Sequence, residues 1–489
     1  MAKSRYTTMD VVRQGAQIVL PVDMDYSDAI SWIERKMEAE EQVITLNRQY
    51  RAFPLDGAAA LARTIAKLFG WAAKVSTWAS PPTTIALPMP GGEQIEVPWG
   101  RFAIPGVNGY VESDMTKSRE GLPVYVLQAR TKEKDRPKIM ELFLAVEQEL
   151  QQHSIYRGQA IRFEFPSDGE FDPSIAPEFL DLTRVNPEEL VFRSDVQELV
   201  DTTVFGPILY PTVVRNQQVP LKRGILLEGP YGVGKTLLAY VVAQKATAQG
   251  WTYLYANVRQ LAQAIEFALL YEPCVIFAED VDQIVGTQDR DQGVNEVLNT
   301  IDGVNVKGRE VMVILTTNHV DKINQAMLRW GRLDTVISIP PPDAEAATKL
   351  VELYSRGQLA WGTDLSEVGT DLAGQIPAMI REVVERAKLG AIVRGQGQPG
   401  PITAHDLRVA ARGMKRHLSL LTPKLQDKRS DSEKAAQIVA DALTTVSESQ
   451  SHSGYRPDPR AFESFSADNP NLAASTVDPL DYDPDADSY

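Results

Sequence analysis

Between residues 190 and 340, apolar runs of five to eight residues alternate with segments of helical spacing: GILLEGP, TLLAYVVAQKA, TYLYANV, LAQAIEFALL, PCVIFAED, VNEVLNTI and VMVILTTN follow one another. A strand that is apolar throughout has no side fit for water, so it must be covered on both faces. With helices as the connections, the pattern predicts a parallel sheet between helical layers.

The flanks read differently. Residues 1–185 mix both periodicities, with helical spacing over Asp28–Glu41, Leu55–Ala73 and Lys138–His153 and strand-like runs at Val43–Phe53 and Ala160–Phe165. Between Thr83 and Gln128, short apolar runs cut by Pro and Gly predict hairpins. This is expected to be an α+β N-terminal region. Residues 186–342 are read as the α/β core. After Pro340–Pro341–Pro342, residues 343–422 have helical spacing and predict a small helical domain behind a stiff hinge. Residues 423–489 read as one amphipathic helix (Ala435–Leu443) and then a tail. From 446 onward the tail holds nine acids, two arginines and five prolines, a composition that predicts disorder.

Composition sets outer limits. In 489 residues there is one cysteine, Cys274, so no internal disulfide can form. Acids outnumber Lys and Arg by 65 to 50, a net charge of −15 that disfavours dedicated binding to duplex nucleic acid. The start lacks the apolar run of a signal peptide, and no apolar stretch reaches the roughly 20 residues of a membrane span. A cytoplasmic chain without membrane contact is the expectation.

GPYGVGKT, residues 229–236, fits the pattern G-x-x-x-x-G-K-[ST] between an apolar strand and a helix. Gly229, Pro230, Tyr231, Gly232, Val233 and Gly234 supply a loop whose N–H groups face one point, and Lys235, Thr236 and Leu237 open the helix. Lys235 is expected to reach the β- and γ-phosphates of a nucleoside triphosphate, and the Thr236 hydroxyl to bind Mg2+. Forty-four residues after Lys235, PCVIFAEDVD ends a strand in Glu279 and Asp280, one carboxylate for metal and one for water. VMVILTTN ends in Asn318, whose amide either touches the γ-phosphate or attacking water, or merely ends the strand. MLRWGRLD places Arg329 and Arg332 three apart, a basic surface loop or a pair that stabilises phosphate charge in trans.

In this order, GPYGVGKT, CVIFAEDVD, LNTIDGV, ILTTNHVDKINQAMLRWGRLD and the helical domain resemble the AAA family of ATPases. The resemblance implies a parallel-sheet P-loop ATPase core with a helical lid, ATP and Mg2+ as cofactors, and a homo-oligomeric ring of six. It puts Asn318 at the sensor position and Arg329 and Arg332 at arginine-finger positions that act on the neighbour's ATP. It likewise likens Gly374–Leu389 to the second sensor region.

Three departures qualify it. The acid order Glu279–Asp280, with TTNH at 316–319, is similar to the branch containing the mitochondrial ATPase that inserts the Rieske subunit, but no stretch of this sequence is expected to form that relative's membrane span. The reversed order leaves open which of Glu279 and Asp280 is the base; alignment favours Asp280, with Glu279 nearer the metal. Asn257–Glu266 contains neither the aromatic residue nor the Gly of a substrate-gripping pore loop, so remodelling by subunit rearrangement fits better than threading. The five histidines are too widely spaced for the HExxH of the protease branch.

The expected function is ATP hydrolysis by a ring that remodels a protein or assembly chosen by residues 1–185. A nucleotide-regulated scaffold with little turnover and a DNA-associated ATPase are the alternatives.

Overall fold

The structure, a computed structural model, describes residues 12–14, 17–19, 24–70, 83–118, 121–164, 176–221, 223–282, 309–319, 333 and 335–414. Arg329, Arg332, the run VNEVLNTI, the helix expected at Ala435–Leu443 and the acidic tail lie outside the described residues. By contacts the chain divides into a unit ending at Arg412 and a second beginning at Gly413. All elements below belong to the first.

The N-terminal region opens with a short antiparallel pair, β1 (Val12–Gln14) and β2 (Gln17–Val19), and a helix at Tyr26–Glu41. Five strands form an antiparallel sheet: β3 (Val43–Gln49), β4 (Thr83–Pro88), β5 (Gln94–Phe102), β6 (Gly109–Lys117) and β7 (Pro123–Lys132), in the order β3-β7-β6-β5-β4. The hairpins expected between residues 83 and 128 are thus observed. Helices Pro54–Phe69 and Arg136–His153 pack with this sheet and share its core. The first carries three consecutive alanines, Ala58–Ala60, all buried, which allow a close approach to the sheet. A basic run, RTKEKDRPK at Arg130–Lys138, spans the end of β7 and the start of the second of these helices, and Lys132 and Lys134 within it both pair with Glu41.

The second sheet has seven strands in the order β14-β10-β13-β12-β11-β8-β9. These are β8 (Ala160–Phe163), β9 (Glu178–Phe179), β10 (Arg223–Glu228), β11 (Thr252–Ala256), β12 (Cys274–Ala278), β13 (Val311–Thr317) and β14 (Thr335–Ser338). Every pairing is parallel except β8 with β9. β12 and β13 are buried along their whole length, as continuous apolar strands require. Helix Lys235–Ala248 belongs to one core cluster and helix Leu261–Leu270 to the other, so both layers of the predicted α/β fold are present. β8, read from sequence with the N-terminal region, is hydrogen-bonded into this sheet beside β11.

The helical domain follows. Helix Ala344–Ser355 is capped by Asp343, whose carboxylate accepts from the Ala346 N–H at 2.9 Å. Helices Ser366–Leu372 and Pro377–Arg394 and a helical segment at 404–412 complete it.

Candidate active site

Adjacent parallel strands deliver the site, because their carboxyl ends lie side by side. In register, Glu228 of β10 pairs with Thr317 of β13, and Ala278 of β12 with Leu315. The residues that follow these ends are Gly229, Asn318, Glu279 and Asp280. Open parallel sheets bind ligands in this kind of crevice.

The loop after β10 leaves between two backbones. Gly229 N–H donates to Thr317 O at 3.3 Å, and Ile339 N–H donates to Glu228 O at 2.7 Å. A Cβ on Gly229 would stand 2.3 Å from Ile339 O, so only glycine fits there. Gly234 turns into helix Lys235–Ala248 with φ +105°, where side chains are disfavoured. Val233 is buried, while Tyr231 is exposed at the loop's outer edge and Leu237 packs at the margin of the core.

Lys235 is the first residue of that helix and only 7% exposed. Its Nζ donates to Gly229 O at 2.7 Å, Pro230 O at 2.9 Å and Asn318 Oδ1 at 2.8 Å, which occupies all three ammonium hydrogens. Burial pulls its pKa below that of a free lysine, against the opposing pull of Asp280, Glu279, Asp282 and Glu228.

The carboxylates are held just as tightly. Thr236 Oγ1 donates to Glu279 Oε1 at 2.5 Å, and the Tyr255 hydroxyl donates to Glu279 Oε2. Asp280 has φ +53°, the left-handed region that non-glycine residues enter at a cost. Its N–H donates to Thr316 Oγ1 at 3.1 Å, and its Oδ1 accepts from Asn318 Nδ2 at 2.8 Å. Asn318 therefore offers its carbonyl to an ammonium and its amide hydrogens to a carboxylate, the orientation that serves both.

Lys235, Thr236, Glu279, Asp280 and Asn318, singled out in sequence, are thus brought into one cluster. Two members were missed. Asp282 accepts from Thr317 Oγ1 at 2.9 Å and from Asn318 N–H at 3.4 Å, holding the end of β13. Tyr255 sits at the carboxyl end of β11, the strand next to β12, and that position was its available signal.

Residues 225–341 match the sequence profile of the ATPase family associated with various cellular activities (AAA). The chain carries an AAA ATPase domain. It is 28% identical to a putative ribosome biogenesis ATPase nvl of Dictyostelium discoideum over 275 residues, which are 51% of this chain and 32% of that protein. It is 33% identical over 236 residues to a cell division cycle protein 48 homolog of Archaeoglobus fulgidus, covering 45% of this chain and 32% of the relative. Over 218 residues it is 28% identical to the 26S proteasome regulatory subunit 8 homolog of Schizosaccharomyces pombe, covering 40% and 53%. The chain spans about a third to a half of the length of these relatives.

The AAA domain and the helical domain meet at the loop. Ile376, immediately before helix Pro377–Arg394, packs against the core beside Gly232, so that a Cβ there would lie 3.0 Å from Ile376 Cδ1. Gly374 N–H donates to Pro342 O at 2.8 Å, and Arg381 pairs with Glu189 at 2.6 Å while lying 4.6 Å over the Tyr354 ring. Gly374, Ile376 and Arg381 fall inside Gly374–Leu389, the segment likened to the second sensor region.

ATP with Mg2+ suits this donor set. A hydroxyl beside a carboxylate, Thr236 and Glu279, is the hard oxygen pair that Mg2+ takes when phosphate oxygens supply further ligands. The glycine loop and Lys235 supply the N–H groups and positive charge that a triphosphate needs. Among the described residues no cluster of three His, Cys, Asp or Glu forms a metal cage, and no helix is long and apolar enough to cross a membrane.

Proposed function

We propose that the chain is a ring-forming ATPase that hydrolyses ATP to remodel a protein or protein assembly selected by its N-terminal region. The observation that carries this reading is the hydrogen-bonded cluster joining Lys235, Thr236, Glu279, Asp280 and Asn318. Residues 229–237 cradle the triphosphate, and Lys235 neutralises its outer phosphates. Thr236, with Glu279 beside it, would hold Mg2+, which would supply charge withdrawal from the phosphate oxygens. Asp280 accepts the proton of the attacking water, and Asn318 links that base to Lys235, so a change at the γ-phosphate is felt at both. Arg329 and Arg332 of one subunit act on the next subunit's site, which makes turnover depend on assembly. Relatives described as a ribosome biogenesis ATPase and a proteasome regulatory subunit support a macromolecular assembly as substrate. A homohexamer in the cytoplasm is the form this reading takes.

The test is ATP turnover per subunit against protein concentration. A steep rise is expected, with Arg329→Ala and Asp280→Asn binding ATP but losing roughly 100-fold or more in turnover. Turnover that stays flat with concentration, or survives Arg329→Ala at the wild-type rate, would remove the intersubunit site. Bound ATP with no turnover at any concentration would favour the nucleotide-regulated scaffold.

A further inference from the structure

Tyr255 has no place in the phosphate loop, the acidic strand end or the sensor, yet its hydroxyl donates to Glu279 Oε2. Glu279 Oε1 is taken by Thr236, so the carboxylate is gripped at both oxygens by hydroxyl donors from two different elements. The Tyr255 ring is itself held. Its centroid lies 6.4 Å from Tyr240 and 6.1 Å from Phe277, both nearly parallel to it at 24° and 19°. The Arg162 guanidinium lies 5.5 Å over the ring, and Arg162 is the residue of β8 in register with Tyr255. Arg162 also faces Glu178 of β9 at 3.6 Å.

From this geometry we infer that Tyr255 is a positioning residue for Mg2+. Its hydroxyl fixes the rotamer of Glu279 so that one oxygen stays beside Thr236, and Arg162 holds the ring that carries the hydroxyl. An acidic side chain left with one partner samples several rotamers, and ordering it must then be driven by the metal. Partners in the second layer of metal sites commonly act in this way. The inference rests on the reading of Glu279 as the carboxylate nearest the metal. It adds a tyrosine from the neighbouring strand and an arginine from the strand beyond that.

The test uses the full chain and a fluorescent ATP analogue, first in chelator and then titrated with Mg2+. Tyr255→Phe keeps the ring and removes only the hydroxyl. It is expected to raise the Mg2+ midpoint roughly 10- to 100-fold while leaving metal-free nucleotide affinity within about twofold. Arg162→Met, on the half-exposed flank of the ring, is expected to raise the midpoint about two- to fivefold and carries the test if the first variant does not fold. Glu279→Gln must also raise the midpoint. If it does and Tyr255→Phe does not, the positioning role is overturned while the metal role of Glu279 stands. If Glu279→Gln leaves the midpoint unmoved, the metal reading falls and takes the inference with it. Equal loss of affinity with and without Mg2+ in Tyr255→Phe would mark general damage to the pocket and would likewise overturn it.

Discussion

A carboxylate outside the phosphate-loop cluster shows how individual residues hold the N-terminal region together. Glu149, with its side chain 6% exposed, accepts from Arg63 at 2.8 Å and from Lys67, with His153 at 3.2 Å. Burial pushes its pKa up, but the hydrogen bonds from Lys67 and Arg63 outweigh burial and hold it below the ordinary 4.5. A folded-state pKa below the unfolded one gives stability that is present above about pH 4.5 and is lost as pH falls through the folded value. Glu149→Gln is therefore expected to cost about 1–3 kcal/mol at neutral pH and to flatten the loss of stability on the acid side. Denaturant melts at pH 7 and pH 4 check both. At this scale the sequence was informative where chemistry repeats in order along the chain, as in GPYGVGKT and AEDVD. It was silent on Glu149, Tyr255 and Asp282, because their partners lie far away in sequence and no local pattern encodes them.

Elements were legible wherever periodicity was long. The helix expected at Asp28–Glu41 forms at Tyr26–Glu41, that expected at Leu55–Ala73 at Pro54–Phe69, and the short strands between 83 and 128 pair as hairpins. Which faces meet was not legible. Helix Leu261–Leu270, which overlaps the Asn257–Glu266 segment only in part, turns its aromatic side toward the N-terminal region: Phe267 lies 5.5 Å from Phe53 and 5.9 Å from Tyr156, ring centre to ring centre. Phe53 N–H donates to the Tyr271 hydroxyl at 2.9 Å. The other end of the same packing is at Gly57, in helix Pro54–Phe69, where a Cβ would stand 2.1 Å from the ring of fully buried Tyr125. Gly57→Ala must push that ring or the helix aside, and overpacking of this kind costs about 1–3 kcal/mol. A lower melting temperature with unchanged ATP binding per folded chain is the expected outcome. An unchanged melting temperature would show that sheet and helix part easily.

For the whole molecule, the N-terminal region and the AAA domain share one hydrophobic cluster, which runs from Tyr50 through Phe143 and Tyr156 to Phe267, Tyr271 and Ile276. Separating them exposes Leu261, Phe267 and Tyr271, which are otherwise buried. A fragment of residues 183–414 is accordingly expected to bind hydrophobic dyes and to melt without cooperativity, whereas the intact chain melts cooperatively. A soluble, cooperative fragment would show that the shared cluster is dispensable. Sequence reasoning drew a boundary near residue 185 because composition changes character there. Hydrogen bonding across β8 and β11 leaves no such trace in composition.

That strand has a consequence for anyone who would rebuild this protein. Modular ATPases invite recombination, in which a recognition head is cut off and another is fused to the same engine. Here the N-terminal region contributes Ala160–Phe163 to the ATPase domain's own sheet, and Arg162 rests on the tyrosine that hydrogen-bonds Glu279. A fusion made at residue 185 would remove a strand of the ATPase domain's sheet along with the N-terminal region. A graft that retains the native chain from β8 onward leaves the sheet entire, and any exchange of the N-terminal region should be attempted on the N-terminal side of that strand.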